Sequence, residues 1–216
     1  MSFNAPFSRD KFLRAPIVGI ARGLPTTVLL HAANALREAG LFTLEVTMNS
    51  PEVVASIRTL RDEFPELNVG AGTVCHAADL VRAVDAGAQF IVTPIVAEAV
   101  ITGAVERRIP VFPGAYTPTE IYRAASLGAE AVKVFPAGQL GVGYLKNVAA
   151  PLDQIRLLPT GGVNLDNIAS FFAAGAVGVG MGSSLLDKSL IAKEDFAGLT
   201  RHCERVLAAI PSRAED

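Results

Sequence analysis

The stretch Gly128-Ala129-Glu130-Ala131-Val132-Lys133-Val134-Phe135-Pro136 contains the unit from which the fold is read. A glycine able to turn left-handed ends a helix, and a short apolar strand follows at once. Similar apolar runs begin at Ile17 (IVGIA), Thr43 (TLEVT), Val69 (VGAGTV), Phe90 (FIVTP), Val111 (VFP), Ala131 (AVKVFP), Ile155 (IRLLPT) and Val177 (VGVGMG), 20 to 26 residues apart. Runs this short and this apolar are parallel strands buried on both faces when helices lie between them. Apolar residues at helical spacing fill 26–39, 51–64, 77–86, 97–107 and 119–127.

Boundary residues support the same division. Asn49-Ser50-Pro51-Glu52 places a capping residue ahead of a proline at the first helical position, and Thr117-Pro118 repeats the device. Gly87, Gly128 and Gly175 each follow a helical stretch and precede a strand, where a left-handed C-cap turns the chain back. Eight strand–helix units without a linker predict an α/β fold, a single-domain (β/α)8 TIM barrel spanning 1–216. The barrel proper occupies about 16–210, with a short extra helix at 8–15 before it and a closing helix at 196–210. A doubly wound open sheet is the competing arrangement.

Composition narrows the function. Of 216 residues, 50% are hydrophobic and 19% charged, so the chain can bury a large core and is not disordered. The net charge of -2 and the scattered basic residues argue against nucleic-acid binding. Cys75 and Cys203 are too few and too distant for a disulfide framework or a zinc site, which points to a reducing cytoplasm. The first twenty residues include Arg9, Asp10, Lys11 and Arg14 and lack the apolar core of a signal peptide. Residues 167–186 carry no charge over the length of a membrane span, but four glycines and three serines mark them as buried α/β interior.

In such barrels the site lies at the C-terminal ends of the strands. That rule selects Arg22, Glu45, Thr47, Thr73, Pro94, Lys133, Phe135 and Thr160, with the glycine-rich ends of the last two strands. Lys133 alone among five lysines lies inside a strand, and alternation turns it inward between Val132 and Val134. Burial lowers the pKa of an ammonium and supplies the free amine that attacks a ketone. Glu45 points inward from the second strand and can shuttle protons. A purely structural ion pair between the two is the bland alternative. Gly161 and Gly162 end one strand and Gly182 and Ser183 another, the positions where this fold cups a phosphate; tight turns alone would also need those glycines. Arg22, just past the first strand, is either a carboxylate clamp or a surface arginine. His31 and His202 read as structural or exposed. His76 borders the rim, and no histidine pair has metal-site spacing. An isomerase or synthase on a phosphate-binding barrel, and a non-catalytic sugar-phosphate binder, remain open on these residues alone.

Several pieces together carry a resemblance: Leu44-Glu45-Val46-Thr47, Val69-Gly70-Ala71-Gly72-Thr73-Val74, Phe90-Ile91-Val92-Thr93-Pro94, Val111-Phe112-Pro113-Gly114, Val132-Lys133-Val134-Phe135-Pro136, Pro159-Thr160-Gly161-Gly162-Val163 and Gly182-Ser183. In this order, over about 16–186, the chain resembles the KDPG/KHG aldolases, class I enzymes that cleave 2-keto-3-deoxy-6-phospho sugar acids. The resemblance implies a homotrimeric (β/α)8 barrel with no metal or other cofactor. It makes Lys133 the Schiff-base lysine and Glu45 the proton donor and acceptor. Thr73, Pro94 and Phe135 would line the pyruvate part, and Gly161, Gly162, Gly182 and Ser183 would hold the phosphate. The products would be pyruvate and glyceraldehyde 3-phosphate. Where gluconate-type members carry a carboxylate-binding arginine, this chain has Asn49; its Ile20-Ala21-Arg22-Gly23 resembles the galactonate-type branch instead. Thr160 is the gluconate-type form. The expectation is the galactonate epimer, with gluconate or both epimers as the alternative.

Overall fold

The computed structural model describes residues 6–211. Its strands are β1 (Ile17–Ala21), β2 (Thr43–Thr47), β3 (Asn68–Gly72), β4 (Ile91–Val92), β5 (Val111–Phe112), β6 (Gly114–Ala115), β7 (Val132–Val134), β8 (Leu157–Pro159) and β9 (Val179–Met181). All pair in parallel, in a six-stranded sheet ordered β5-β4-β3-β2-β1-β9 and a three-stranded sheet ordered β6-β7-β8. Nine strands stand where the sequence predicts eight, because the run at Val111 divides at Pro113. Proline has no N–H to give a ladder, although the Pro113 carbonyl still accepts from the Lys133 N–H at 2.9 Å. On the far side, Thr160 bridges Gly180 in parallel, and the Val177 N–H donates to the Leu157 carbonyl at 2.9 Å.

The strands alternate between two cores, as buried parallel strands must. Val132, Val134, Leu157, Val179 and Leu44 pack outward into the large apolar layer shared with the helices. Val18, Phe90, Val92, Phe112, Ala131 and Leu158 form a second cluster with Phe7 and Phe12. Helix α1 (Arg9–Arg14) delivers Phe12, so the expected extra helix closes this second core from the N-terminal side. Its rings meet edge to face, Phe90 and Phe112 at 5.8 Å and 86°. Gly70 gives way to them, since a Cβ there would fall 2.5 Å from the Phe90 ring.

Helices α2 (Thr26–Glu38), α3 (Val53–Glu63), α4 (Ala77–Asp85), α5 (Glu98–Glu106) and α6 (Pro118–Ser126) lie within two residues of their expected bounds, as does the closing helix, α10 (Phe196–Ala208). Three more, α7 (Ala137–Ala149), α8 (Ile168–Ala173) and α9 (Lys188–Ala192), escape periodicity. Glycines interrupt α7, with a kink at Gly141 where φ is 76°, and α8 and α9 are too short to show a repeat. Residues 167–186 divide into α8, a turn, β9 and a loop; among the described residues no helix is long and apolar enough to cross a membrane.

The caps hold in part. Thr117 forms a full capping box with Glu120, and Gly87, Gly128 and Gly175 take φ of 93°, 96° and 95°. The expected cap at Asn49-Ser50-Pro51 is corrected: α3 begins after Glu52, whose backbone is left-handed at φ 49°. Ser50 is buried and its hydroxyl is already engaged. It accepts from the Gly23 N–H and hydrogen-bonds Thr47 Oγ1, both at 2.9 Å. The residue thus ties the loop after β1 to the end of β2.

Candidate active site

Lys133 lies at the middle of β7, its neighbours Val132 and Val134 committed to the outer core. Glu45 lies at the middle of β2, level with Ile20 of β1 and Gly70 of β3. Both face the space enclosed by the strands, with Thr160 and Gly180, just above the aromatic cluster. They are 6% and 1% exposed, so each charge is held almost out of water. Burial pushes the Lys133 ammonium below the usual lysine range; the attraction of Glu45 opposes that, and repulsion by Arg22 adds to it. Burial likewise pushes Glu45 upward, against the pull of Lys133 and Arg22. Its Oε2 has no hydrogen-bond partner among the described residues, which suits a group that exchanges protons. Lys133 Nζ also stands 4.9 Å from the centre of the Phe135 ring.

Gly72 is what lets the carboxylate fit. A Cβ at that position would lie 2.3 Å from Glu45 Oε1. We therefore predict that Gly72→Ala displaces Glu45 and lowers kcat by about 10²-fold, the usual effect of a misplacement near 1 Å. Circular dichroism should show the fold retained, and wild-type kcat in that variant would mean that Glu45 is not the strained partner.

Above the pair opens a cavity of about 630 Å³. Arg22, Lys133, Phe135 and Thr160 line it together with Gly161, Gly162, Gly182 and Ser183. Eight of the twelve residues singled out from the sequence therefore meet at one opening, with Glu45 beneath them and Thr47 buried against Ser50. Thr73 and Pro94 line neither space. Thr73 follows β3 half-buried with φ 56°, and the Pro94 backbone packs on Gly114, where a Cβ would approach it to 2.4 Å. Thr160 fits beside the pair because Gly180 lacks a side chain; a Cβ there would meet Thr160 Oγ1 at 2.4 Å.

The two glycine loops are held from behind. Gly161 and Gly162 take φ of 80° and 85°, and a Cβ on Gly162 would come within 2.6 Å of Gly138. The Gly161 carbonyl accepts from the Gly138 N–H at 2.7 Å, and the Gly162 carbonyl from Asn167 Nδ2 at 2.8 Å. With carbonyls turned to protein donors, the loop can offer its N–H groups to the cavity. Ser184 Oγ donates to the Val163 carbonyl at 2.6 Å and joins the two loops. His202 Nε2 lies 2.8 Å from the Ser184 carbonyl, so this histidine is a structural strut, as expected. His31 stacks on Phe196, and His76 is exposed ahead of α4. Cys75 is half-buried and contributes to the field at Lys133. Among the described residues no His, Cys, Asp and Glu group could hold a metal.

Sequence reasoning missed Ser184, Leu186, Lys188 and Ile191, which also line the cavity. They come from the loop after β9 and from α9, where no periodicity was available. The available signal was Lys188, one of only five lysines.

Comparison with known proteins decides among the chemistries this opening allows. The family model for KDPG and KHG aldolases matches residues 10–202. The chain belongs to this aldolase family. A 2-dehydro-3-deoxy-phosphogluconate aldolase of Pseudomonas aeruginosa is 36% identical over 80% of this chain and 79% of its own. A 2-dehydro-3-deoxy-6-phosphogalactonate aldolase of Escherichia coli K12 is 35% identical over 80% of this chain and 85% of its own. Among solved structures, a Legionella pneumophila KDPG aldolase superposes with a TM-score of 0.85 at 27% identity, covering 91% of this chain and 96% of that one. That aldolase was captured with pyruvate as a covalent carbinolamine. Family membership makes this chain a lyase, and the relatives named for the gluconate and the galactonate substrate stand at nearly equal distance from it.

Proposed function

We propose that the protein is a class I aldolase cleaving 2-dehydro-3-deoxy-6-phosphogalactonate to pyruvate and glyceraldehyde 3-phosphate. The observation that carries this is Lys133, buried beside Glu45 at the floor of a cavity lined by Arg22 and by the two glycine loops. Lys133 adds to the C2 ketone and water leaves, giving a protonated imine. Glu45, through a water, takes the C4 hydroxyl proton while the C3–C4 bond breaks. The bonding pair enters the imine and leaves an enamine, and glyceraldehyde 3-phosphate departs. Glu45 returns the proton to C3, and water hydrolyses the imine to pyruvate and the free amine. Phe135 packs beside the reacting carbons, and Thr73 and Pro94 are assigned to the pyruvate end on resemblance. Gly161, Gly162, Gly182 and Ser183 hold the phosphate through backbone N–H groups and the serine hydroxyl.

Arg22 is the assigned carboxylate clamp. It is exposed at the cavity wall, and among the described residues it makes no ion pair. Its backbone is braced by the Gly23–Ser50–Thr47 contacts. Arg22→Ala is expected to raise KM about 10- to 100-fold, the worth of a charge-assisted contact, with a smaller effect on kcat. An unchanged KM returns the carboxylate to another donor.

The galactonate reading is supported by Arg22 in the cavity wall while Asn49 is absent from it. Thr160, which lines the same inner space as Lys133, favours the gluconate epimer or acceptance of both, because a pocket discriminates weakly unless it pairs each hydroxyl. Pyruvate release from each C4 epimer, assayed in parallel with a chelator present, tests this. Galactonate preference supports the proposal, gluconate preference or parity moves it to the alternative, and turnover of neither removes it.

We also read the two sheets as one (β/α)8 barrel and the chain as a single domain; residues 1–5 and 212–216 of that span lie outside the described residues. Continuity of β5 and β6 through Pro113, with the Thr160–Gly180 bridge, supports closure. A cytoplasmic homotrimer is the assembly and compartment we assign; the free Cys75 and Cys203 fit a reducing compartment.

A further inference from the structure

The cavity carries a charge arrangement that the assignments above leave incomplete. Its ionisable lining residues are Arg22, Lys133 and Lys188, with no aspartate or glutamate among them. Arg22 and Lys133 are assigned to the keto-acid end. The third, Lys188, is the first residue of α9 and follows the Gly182-Ser183 loop by a few residues. A phosphate monoester carries about -1.5 to -2 charges at neutral pH. Loop N–H groups supply only partial charges, so a full cation at that end has a clear use.

We propose that Lys188 is a substrate-binding residue that neutralises the phosphate and sets the preference for phosphorylated over unphosphorylated substrates. Its side chain is exposed to the cavity and makes no ion pair among the described residues. The neighbouring carboxylate, Asp187, makes no ion pair with it among the described residues. Asp187 Oδ1 caps α9, accepting from the Ser189 and Leu190 N–H groups at 2.7 and 3.1 Å and from Ser189 Oγ at 2.6 Å. That cap fixes the backbone of Lys188 at the start of the helix. Leu186, Ile191 and Ala192 line the same cavity and bring no competing charge to it.

The substrate named here rests on the aldolase reading, but the phosphate contact can be tested apart from it. Glycerol 3-phosphate is titrated calorimetrically into the full-length wild type, Lys188→Ala and Lys188→Arg. We expect binding at least about 10-fold weaker in the alanine variant, largely restored by arginine, with a shallower salt dependence in the alanine variant. In turnover, KM for the phosphorylated substrate rises while kcat changes little. The ratio of kcat/KM for phosphorylated over unphosphorylated substrate falls by the same factor. Equal affinity in wild type and Lys188→Ala, or no binding to the wild type, overturns the proposal. Loss of affinity without any pyruvate release by the wild type would keep Lys188 and sink the aldolase reading. Normal turnover with unaltered affinity would do the reverse.

Discussion

Lys133→Ala is expected to lose at least about 10⁴-fold in kcat, or about 5.4 kcal/mol of transition-state stabilisation. Lys133 is the lysine that shares the inner space with Glu45, and the other lysine of the cavity wall, Lys188, does not line that space. Borohydride reduction in the presence of pyruvate should inactivate the wild type and label Lys133, found by peptide mass mapping. The alanine variant should take no label. Substantial turnover in it, or a label elsewhere, would sink the Schiff-base assignment and return the isomerase reading. Trapping should also rise with pH through the Lys133 pKa, because only the free amine attacks. That pKa lies below the ordinary lysine range for the reason that exposure is 6%.

Glu45→Gln separates imine formation from proton transfer. The amide occupies the same space beside Gly72 but cannot carry a proton, so kcat should fall about 10²- to 10⁴-fold while pyruvate trapping at Lys133 persists. The direction of a pH shift supplies a second check. Glu45 raises the Lys133 pKa and Arg22 lowers it. Removing the carboxylate charge should therefore move the trapping profile to lower pH, and Arg22→Ala should move it to higher pH. Wild-type kcat in Glu45→Gln would take Glu45 out of the mechanism, and an unmoved profile would mean that the two groups do not interact.

The buried charge also makes a statement about stability. A glutamate whose folded pKa is raised keeps its proton in the folded state after the unfolded chain has lost it. Stability from this group therefore declines as pH rises from the unfolded pKa, 4.5, toward the raised folded value. Glutamine should relieve that cost at neutral pH, giving a melting temperature no lower than wild type while activity is lost.

Much of the architecture was legible because local physics repeats. A strand buried on both faces must be apolar throughout, a helix on the outside must be apolar on one side, and a glycine must end it. Those requirements are visible at Val132 and Val134, along 26–39, and at Gly128. Lys133 was legible for the same reason, as a charge inside a run that tolerates none. Where local requirements conflict with contacts far along the chain, the reading fails. Ser50 has the spacing of a cap, yet its hydroxyl goes to Gly23, 27 residues away. Pro113 looks like a strand end but interrupts the ladder between two sheets. Helix α7 hides behind glycines, one of which is required because Gly162 presses on Gly138.

The sequence by itself determined the strand–helix alternation, the inward direction of Glu45 and Lys133, and the glycine loops. Each follows from the period of side chains along a strand or from the backbone freedom of one residue. Only the tertiary structure decided that Arg22, Lys133 and Lys188 share one cavity without a carboxylate in its wall. It alone placed Glu45 under them with an oxygen that has no hydrogen-bond partner among the described residues. These are relations between residues far apart along the chain, from 23 positions for Arg22 and Glu45 to 166 for Arg22 and Lys188. They depend on how sheets close and loops pack, which no local pattern encodes.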